Sequence, residues 1–528
     1  MPPEFPKSHP RRLLKWFTIV LACLALLVVV AVGILRRSSI RFSPDRAWVQ
    51  ATLEKHFNAK VELRELNISL QPSVSIDGAG LVLSRKDEAG PPFASIAKFS
   101  INAVWAGLLL HPPRFQEVHL EGLVLNVPPH RSSPTSKAES SDKPDKKSQG
   151  VSHFVLEDVV ADGTTLNIQS ANPNKPPHVF DIQKLRLQSA GAGQAMSFQA
   201  DLTNPVPVGE IQSNGRFGPW KADDPSQTPV RGNYTFDNAD LSTIHGLHGI
   251  LSSQGKYEGV LGDIKVEGET DTPDFGLAVS GNKVHLKTEF TAVVDGTSGD
   301  TFLRPVTAHL PHSTIVARGG VARASNGNGR IISLDVTARP ARLEDLLRLA
   351  VSSPAPAMTG AVTVQTKLEI QPGQEDISRR MKLDGRFNID SAHFTDHEVE
   401  EKLTSFSRLG QGRRGDQKIQ NAPISMKGQF AFANGTARFS NLTFGVPGAS
   451  IQLHGTFDLA SQALDFEGTA RLQAKVSELT TGFKSVLLRA VDPLFESNGA
   501  GTVVPIKIQG TRQDPSIHIE FGKIFGRF

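Results

Sequence analysis

The sequence predicts a mainly β protein: an N-terminal transmembrane helix followed by an elongated, curved antiparallel β-sheet, groove- or taco-like, with a few short capping helices. Three observations predict it. The stretch Trp16–Leu35 runs 20 residues without a charge. Most of the remaining chain alternates apolar and polar residues with a period of two. A glycine–phenylalanine strand motif recurs three times late in the chain.

Composition sets the outer bounds. With 528 residues, 39% hydrophobic, 21% charged and a single cysteine, the chain is neither wholly disordered nor a disulfide scaffold. It is long enough for about two to four domains or one elongated repeat body. The net charge of +4 is concentrated at the start. Residues 1–46 hold Lys7, Arg11, Arg12, Lys15, Arg36, Arg37, Arg41 and Arg46 against Glu4 and Asp45, which leaves the rest slightly acidic. Two tyrosines beside 29 phenylalanines and no basic surplus argue against a nucleic-acid surface.

At 1.5 Å per helical residue, 16–35 matches a hydrocarbon core of about 30 Å. It reads as one uncleaved anchor, with Trp16, Leu21, Leu24, Leu27 and Val30 as its anchor residues and residues 1–15 in the cytoplasm. A cleaved signal peptide would need a shorter apolar core ending in a small-x-small site, whereas Ala31-Val32-Gly33 lies inside the run. Cys23 has twelve apolar residues after it, so it does not end the apolar stretch as an acylated cysteine would. Four Lys or Arg side chains precede the helix and four follow, so flanking charge leaves orientation open. No second such run exists, so everything from about residue 42 onward lies on one side of the membrane.

Ser43-Pro44-Asp45 supplies an N-cap, a first-turn proline and an acidic start for a short helix over 44–57, with Trp48, Val49, Thr52, Leu53 and Phe57 on one face. The period then becomes two: Val61 and Leu63, Leu66 to Leu70, Val74 and Ile76, Leu81 and Leu83, and Phe99 to Trp105 alternate with polar residues through 42–127. Residues 128–150 contain no aliphatic side chain except Ala138 and mix Ser, Lys, Asp and Pro, the composition of a disordered linker. Alternation resumes as a repeated hairpin body over 151–476 and continues after a helix into the terminal strands of 477–528. Helical windows over Arg342–Val351, His397–Leu409 and Ser477–Ala490 read as caps over an apolar sheet face.

The repeat is Leu383-x-Gly385-x-Phe387-x-Ile389, then Met426-x-Gly428-x-Phe430-x-Phe432, then Leu453-x-Gly455-x-Phe457-x-Leu459. A spacing of two puts glycine and phenylalanine on the same face, glycine allowing a bend or a close approach and phenylalanine supplying apolar area. Such a sheet hides its greasy side either by folding into sandwiches or by curling into a trough, and periodicity does not choose between them. About 25–30 strands in one trough would reach on the order of 100–150 Å.

Reaction chemistry is sparse. No G-x-S-x-G elbow, H-E-x-x-H helix, Walker loop, EF-hand or paired C-x-x-C occurs, so no catalytic residue, metal site or cofactor is assigned. Asp396-His397-Glu398 lacks a second histidine for zinc and reads as an acidic helix start. His245 and His248 have no third ligand nearby, and Ser140-x-x-Lys143 falls in the linker. Asp295–Asp300 could hold a cation, but Asp-Gly and Ser-Gly are hairpin-turn dipeptides and the turn reading is preferred.

Two stretches resemble the AsmA family of bacterial envelope proteins. The first runs from Trp48 to Val127 and includes AKVELRELNISLQPSVSIDGAGLVLS and FQEVHLEGLVLNVP; the second covers 463–527, from ALDFEGTARL to IHIEFGKIFGR. Between them, FDNADLSTIHGLHGILSSQGKYEGVLGDIKVEGETDTPDF is similar to shorter members. The resemblance implies a single-pass protein of the bacterial inner membrane with its C-terminal body in the periplasm, linked to outer-membrane biogenesis. Larger relatives form β-grooves that conduct phospholipids, and the family offers no catalytic residues to carry over. This chain is shorter than those relatives, and its 128–150 insert matches no family pattern.

Physics makes lipid handling sensible beside that analogy. Each exposed methylene costs about 0.8 kcal/mol, so a two-chain phospholipid crossing water unsheltered faces roughly 20 kcal/mol. The expected partners are therefore the inner membrane and a phospholipid or other acyl-chain lipid, with Val61, Leu63, Ile68, Phe387, Phe430 and Phe457 as lipid-facing candidates. The alternative is a non-catalytic assembly factor with closed sandwiches, whose exposed edges engage outer-membrane assembly proteins.

Overall fold

The computed structural model describes residues 46–519 except 58, 86–91, 111–112, 128–154, 169–177, 192–194, 220, 222–223, 325–328, 354, 398–399, 402–403, 405–406, 408–410, 412–423, 474–502 and 513. The transmembrane helix expected over 16–35 lies outside these, as does the helix expected over Ser477–Ala490. Among the described residues no helix is long and apolar enough to cross a bilayer.

Alternation is realised as one long, open, curved sheet of 25 strands. β1 (Ala59–Glu62) and β2 (Glu65–Ser69) share β3 (Val74–Arg85) as partner, and β4 (Ala94–Ala103) and β5 (Arg114–Val127) follow antiparallel. β6 (Val155–Ile168) then lies parallel to β5, the one parallel pairing among the described strands. From β6 the chain meanders: β7 (His178–Gly191), β8 (Met196–Pro205), β9 (Val208–Phe217) and β10 (Pro229–Asp240) each pair with the strand before. The two-residue β11 (Leu247–His248) ladders onto β13 (Asp263–Leu277), while β12 (Ile250–Val260) joins β10 to β13.

The meander continues through β14 (Val284–Val294), β15 (Thr301–His309), β16 (Thr314–Arg323), β17 (Arg330–Arg342), β18 (Met358–Ile370) and β19 (Met381–Phe394). It ends with β20 (Ile424–Ala433), β21 (Thr436–Val446), β22 (Ala449–Asp458), β23 (Ala463–Leu472), β24 (Val503–Thr511) and β25 (Pro515–Ile519). Neighbour-to-neighbour pairing suits short connections. Asn434-Gly435 between β20 and β21, with φ of 52° and 80°, is the two-residue hairpin turn that matches strand twist.

Left-handed glycines aligned across neighbouring strands keep the apolar face inward. Val74, Ile76, Leu81 and Leu83 of β3 are all buried, although five residues separate Ile76 from Leu81, an odd spacing that would place them on opposite faces of a regular strand. Gly80 takes up the change of face at φ 66°, and Gly122 and Gly163 stand at the same place in β5 and β6 at φ 63° and 62°, while the pairing register is the same on either side. Beside these strands lies the helix expected over 44–57, described from Arg46 to Phe57, which buries Val49 and Leu53; residues 44 and 45 lie outside the described residues. Its Glu54 Oε1 accepts from the Val61 N–H at 3.1 Å and its Gln50 Nε2 donates to the Val61 carbonyl at 3.4 Å.

The expected cap over Arg342–Val351 is the helix Leu343–Ala350, whose Leu343 and Leu346 pack on the carboxy-terminal core. Buried Asp345 accepts from the His312 N–H at 2.8 Å and from Ser313 Oγ at 2.7 Å, tying the helix to the β15–β16 turn. Asn282 Nδ2 donates to the carbonyls of Arg348, Val351 and Ser353, closing its far end. Short helices also occur at Trp105–Leu108 and Ile377–Arg380. Of His397–Leu409 only five residues are described, and all five are helical.

Candidate functional site

One face of the sheet carries a line of directly paired residues that can be followed strand by strand. It runs Ile68, Ile76, Ile101, Val118, Val159, Leu187 and Phe198 through β2–β8. It continues Gly215, Gly232, Tyr257, Val266, Ala292, Leu303 and Gly319 to β16, passing over β11. It ends Leu334, Leu368, Leu383, Phe432, Ala437, Phe457, Leu464 and Gly510 through β17–β24. No member is charged, and Tyr257 is the only one with a polar side chain. At about 4.8 Å per strand this path measures roughly 100 Å along the curve.

The opposite face is polar. One residue over, the same strands pair Arg186, Gln199, Asn214, Asn233, Lys256 and Glu267, and further on Arg318, Asp335, Lys367 and Asp384. Glu267 there is bridged by Lys265 at 2.5 Å and Lys256 at 3.2 Å. These two hydrogen bonds, Lys265 first, hold its carboxyl below the ordinary value. Such exposed pairs add little stability but keep this face in water.

The apolar face differs in depth along its length. Through β1–β8 it is filled: Val61 and Leu63 are 3% and 4% exposed, inside a core that also contains Val49 and Leu53 of the helix. In the middle it is open, and Leu303, Leu334, Leu368 and Leu383 are only half-buried. Toward the end Phe387, Phe430 and Phe457 are likewise half-buried. Phe387 stands 6.3 Å from Phe430 and 6.3 Å edge-on from Phe439, which stands 5.7 Å from Phe466. The lipid-facing candidates therefore separate: Val61 and Leu63 are core residues, whereas Ile68, Phe387, Phe430 and Phe457 lie half-buried on the long face. The anchor candidates Trp16, Leu21, Leu24, Leu27 and Val30 lie outside the described residues.

The structure also explains the repeat. Phe387 sits opposite Gly428 and Phe430 opposite Gly385, so each ring crosses onto the glycine of the neighbouring strand. A Cβ on Gly428 would come within 3.1 Å of Phe387 Cε1, and one on Gly455 within 2.8 Å of Phe466 Cδ1. The same reciprocal cross occurs far earlier, where Tyr234 faces Gly255 and Tyr257 faces Gly232. Sequence reading missed this second platform, although Gly232-x-Tyr234 and Gly255-x-Tyr257 repeat the Gly-x-Phe spacing with tyrosine in place of phenylalanine. These are the chain's two tyrosines.

Both phenols are folded into the sheet. Ser213 Oγ donates to the Asn233 carbonyl at 3.0 Å and lies 2.8 Å from Tyr257 OH, while Ser253 Oγ donates to the Glu269 carbonyl and lies 3.2 Å from Tyr234 OH. Burial pushes both phenol pKa values up, opposed by these hydrogen bonds, so both stay neutral at physiological pH.

Cation binding at Asp295–Asp300 gives way to the turn. Asp295 Oδ1 accepts from the Thr297 N–H at 2.8 Å, and the Arg330 guanidinium donates to the Ser298 and Gly299 carbonyls and to Asp300 at 3.2 Å. Loop oxygens that would face an ion face an arginine instead. Among the described residues no group of three His, Cys, Asp or Glu side chains is placed to hold a metal. Compared with protein-family models, curated proteins and solved structures, the chain matches none.

Proposed function

We propose that this chain is a membrane-anchored envelope protein that binds phospholipids or other acyl-chain lipids on the uncharged face of its sheet and passes them along it. In this reading residues 16–35 hold it in the bacterial inner membrane, the sheet lies in the periplasm, and the activity serves outer-membrane biogenesis, as the AsmA resemblance implies. The observation that carries the reading is the uncharged line crossing β2–β24, whose leucines in the middle strands are only half-buried. Leaving such a surface facing water forfeits about 25 cal/mol for every Å² of apolar area, a cost that a sheltered hydrocarbon chain offsets. No bond has to be made or broken for that role, and a line without charged residues suits it.

Purification of the full chain in mild detergent, followed by lipid mass spectrometry, tests this. Co-purifying phospholipid is expected in the parent protein. It should be lost in Phe430→Glu and retained in Gln429→Glu, the adjacent residue on the polar face. Absence of bound lipid in the parent, or equal loss in both variants, would refute the reading. Crosslinks to envelope proteins in place of lipid would favour the assembly-factor alternative.

A further inference from the structure

Four of the most exposed large apolar side chains meet at one corner of the sheet. Leu109 is 76% exposed, Leu110 49%, Leu70 43% and Val104 37%. Leu70 lies in the β2–β3 turn, four residues before Val74, and Val74 pairs with Ala103, the residue before Val104. Both turns therefore project from the same end of β2–β5, beside the amino-terminal edge of the sheet.

The corner is built to present these residues. Gly107 and Leu108 donate backbone hydrogen bonds to the Val104 carbonyl at 3.0 and 3.2 Å, and Leu109 donates to Trp105 at 3.2 Å. Leu108 and the half-buried Trp105 root the turn in the core, so Leu109 and Leu110 are held outward. A Cβ on Gly107 would lie 2.9 Å from the Arg114 carbonyl, so the turn sits against β5 as closely as backbone permits. Scattered single leucines on a surface are ordinary; four exposed apolar side chains on two turns at one end of the sheet are not.

We propose that this tip dips into the surface of the bilayer that carries the anchor, seating the filled end of the sheet on the membrane. The inference rests on the anchored reading of residues 16–35. Only ten residues, 36–45, separate that apolar run from Arg46, a reach of at most about 35 Å. Arg46 is tied to the sheet, its NH1 donating to the Arg64 carbonyl at 2.7 Å, and Arg64 directly precedes β2, whose far end leads to Leu70. A tether this short keeps the tip within reach of the membrane, and Arg36, Arg37 and Arg41 in it favour an anionic lipid surface.

The test uses the full chain in phosphatidylethanolamine–phosphatidylglycerol nanodiscs. Cys23→Ser removes the native thiol, and an environment-sensitive fluorophore is placed at Leu109→Cys, with Val206→Cys in the β8–β9 turn, itself 51% exposed, as the control. The Leu109 probe should shift to the blue and be quenched by lipids carrying a spin label high on the acyl chain, and the control should do neither. Matching emission at both positions, without quenching, overturns the tip contact while leaving lipid co-purification with the open face as a separate result. Failure of the full chain to enter the nanodisc overturns the anchor and the tip together. As a second measurement, Leu109→Asp with Leu110→Asp, both at exposed positions, should keep the parent circular dichroism and slow lipid loading from the disc; unchanged loading counts against the tip.

Discussion

The pairing of aromatic rings with glycines across strands makes a sharp energetic prediction at Gly78 and Phe99. These residues are direct partners between β3 and β4, and Phe99 is 4% exposed. A Cβ on Gly78 would lie 2.3 Å from Phe99 Cζ and 2.5 Å from Cε1. Gly78→Ala must therefore push the ring out of a filled core, an overpacking cost of about 1–3 kcal/mol. Phe99→Leu deletes the two colliding atoms. In that background the remaining tight contact of the new Cβ is the Glu65 carbonyl at 3.0 Å, so Gly78→Ala should cost much less. The double-mutant cycle should thus show a coupling of about 1–3 kcal/mol. Hydrogen exchange of peptides covering 74–103 under mild denaturant is the suitable assay, because a long meander need not unfold as one unit. Equal costs of Gly78→Ala in both backgrounds, within about 0.5 kcal/mol, would refute the ring-on-glycine account.

Three further outcomes are expected. Asp345→Ala strands the His312 N–H and the Ser313 hydroxyl in a buried site, so it should cost about 1–3 kcal/mol and raise exchange in the helix Leu343–Ala350, whereas unchanged exchange would count against that anchor. The backbone N–H and then the hydroxyl of Ser461 hold the Asp458 carboxyl below its ordinary value of 3.8. A depressed carboxylate contributes stability that is complete above the unfolded value and fades as pH falls through the folded one, so protection of the β22–β23 turn should drop below about pH 4 and Asp458→Ala should abolish the dependence. Because β6 starts beside the start of β5, residues 128–154 must cover the length of a 14-residue strand, about 45 Å. Deleting 134–143 should leave the β5–β6 pairing intact, whereas deleting 128–150 leaves too few residues to span it; retained protection of β6 in the larger deletion would contradict the register.

Strand content, face polarity and several local devices were legible in the residues themselves. Val61 and Leu63 are buried, and Leu343–Ala350 caps the sheet, because a period of two or of 3.6 sorts side chains onto faces whatever the later partners. Asn434-Gly435 turns the chain where a Gly in the left-handed region is needed, and that too is local. What escaped was the use of the faces. Val61 and Phe387 both sit on alternating strands, yet one lies inside a filled core and the other is half-buried on the long face.

Sequence alone determined that this chain is built of one-sided strands, that a 20-residue apolar run precedes them, and that glycine and aromatic residues alternate on the greasy side. Only tertiary structure decided that the strands join one open sheet in place of closed sandwiches, that β6 returns parallel to β5, and that Phe387 and Phe430 each face the other strand's glycine. The physical reason is the range of the interactions. Alternation and turn chemistry act over a few residues, whereas register, ring-on-glycine contact and cover over an apolar face depend on partners whose distance along the chain leaves no local mark.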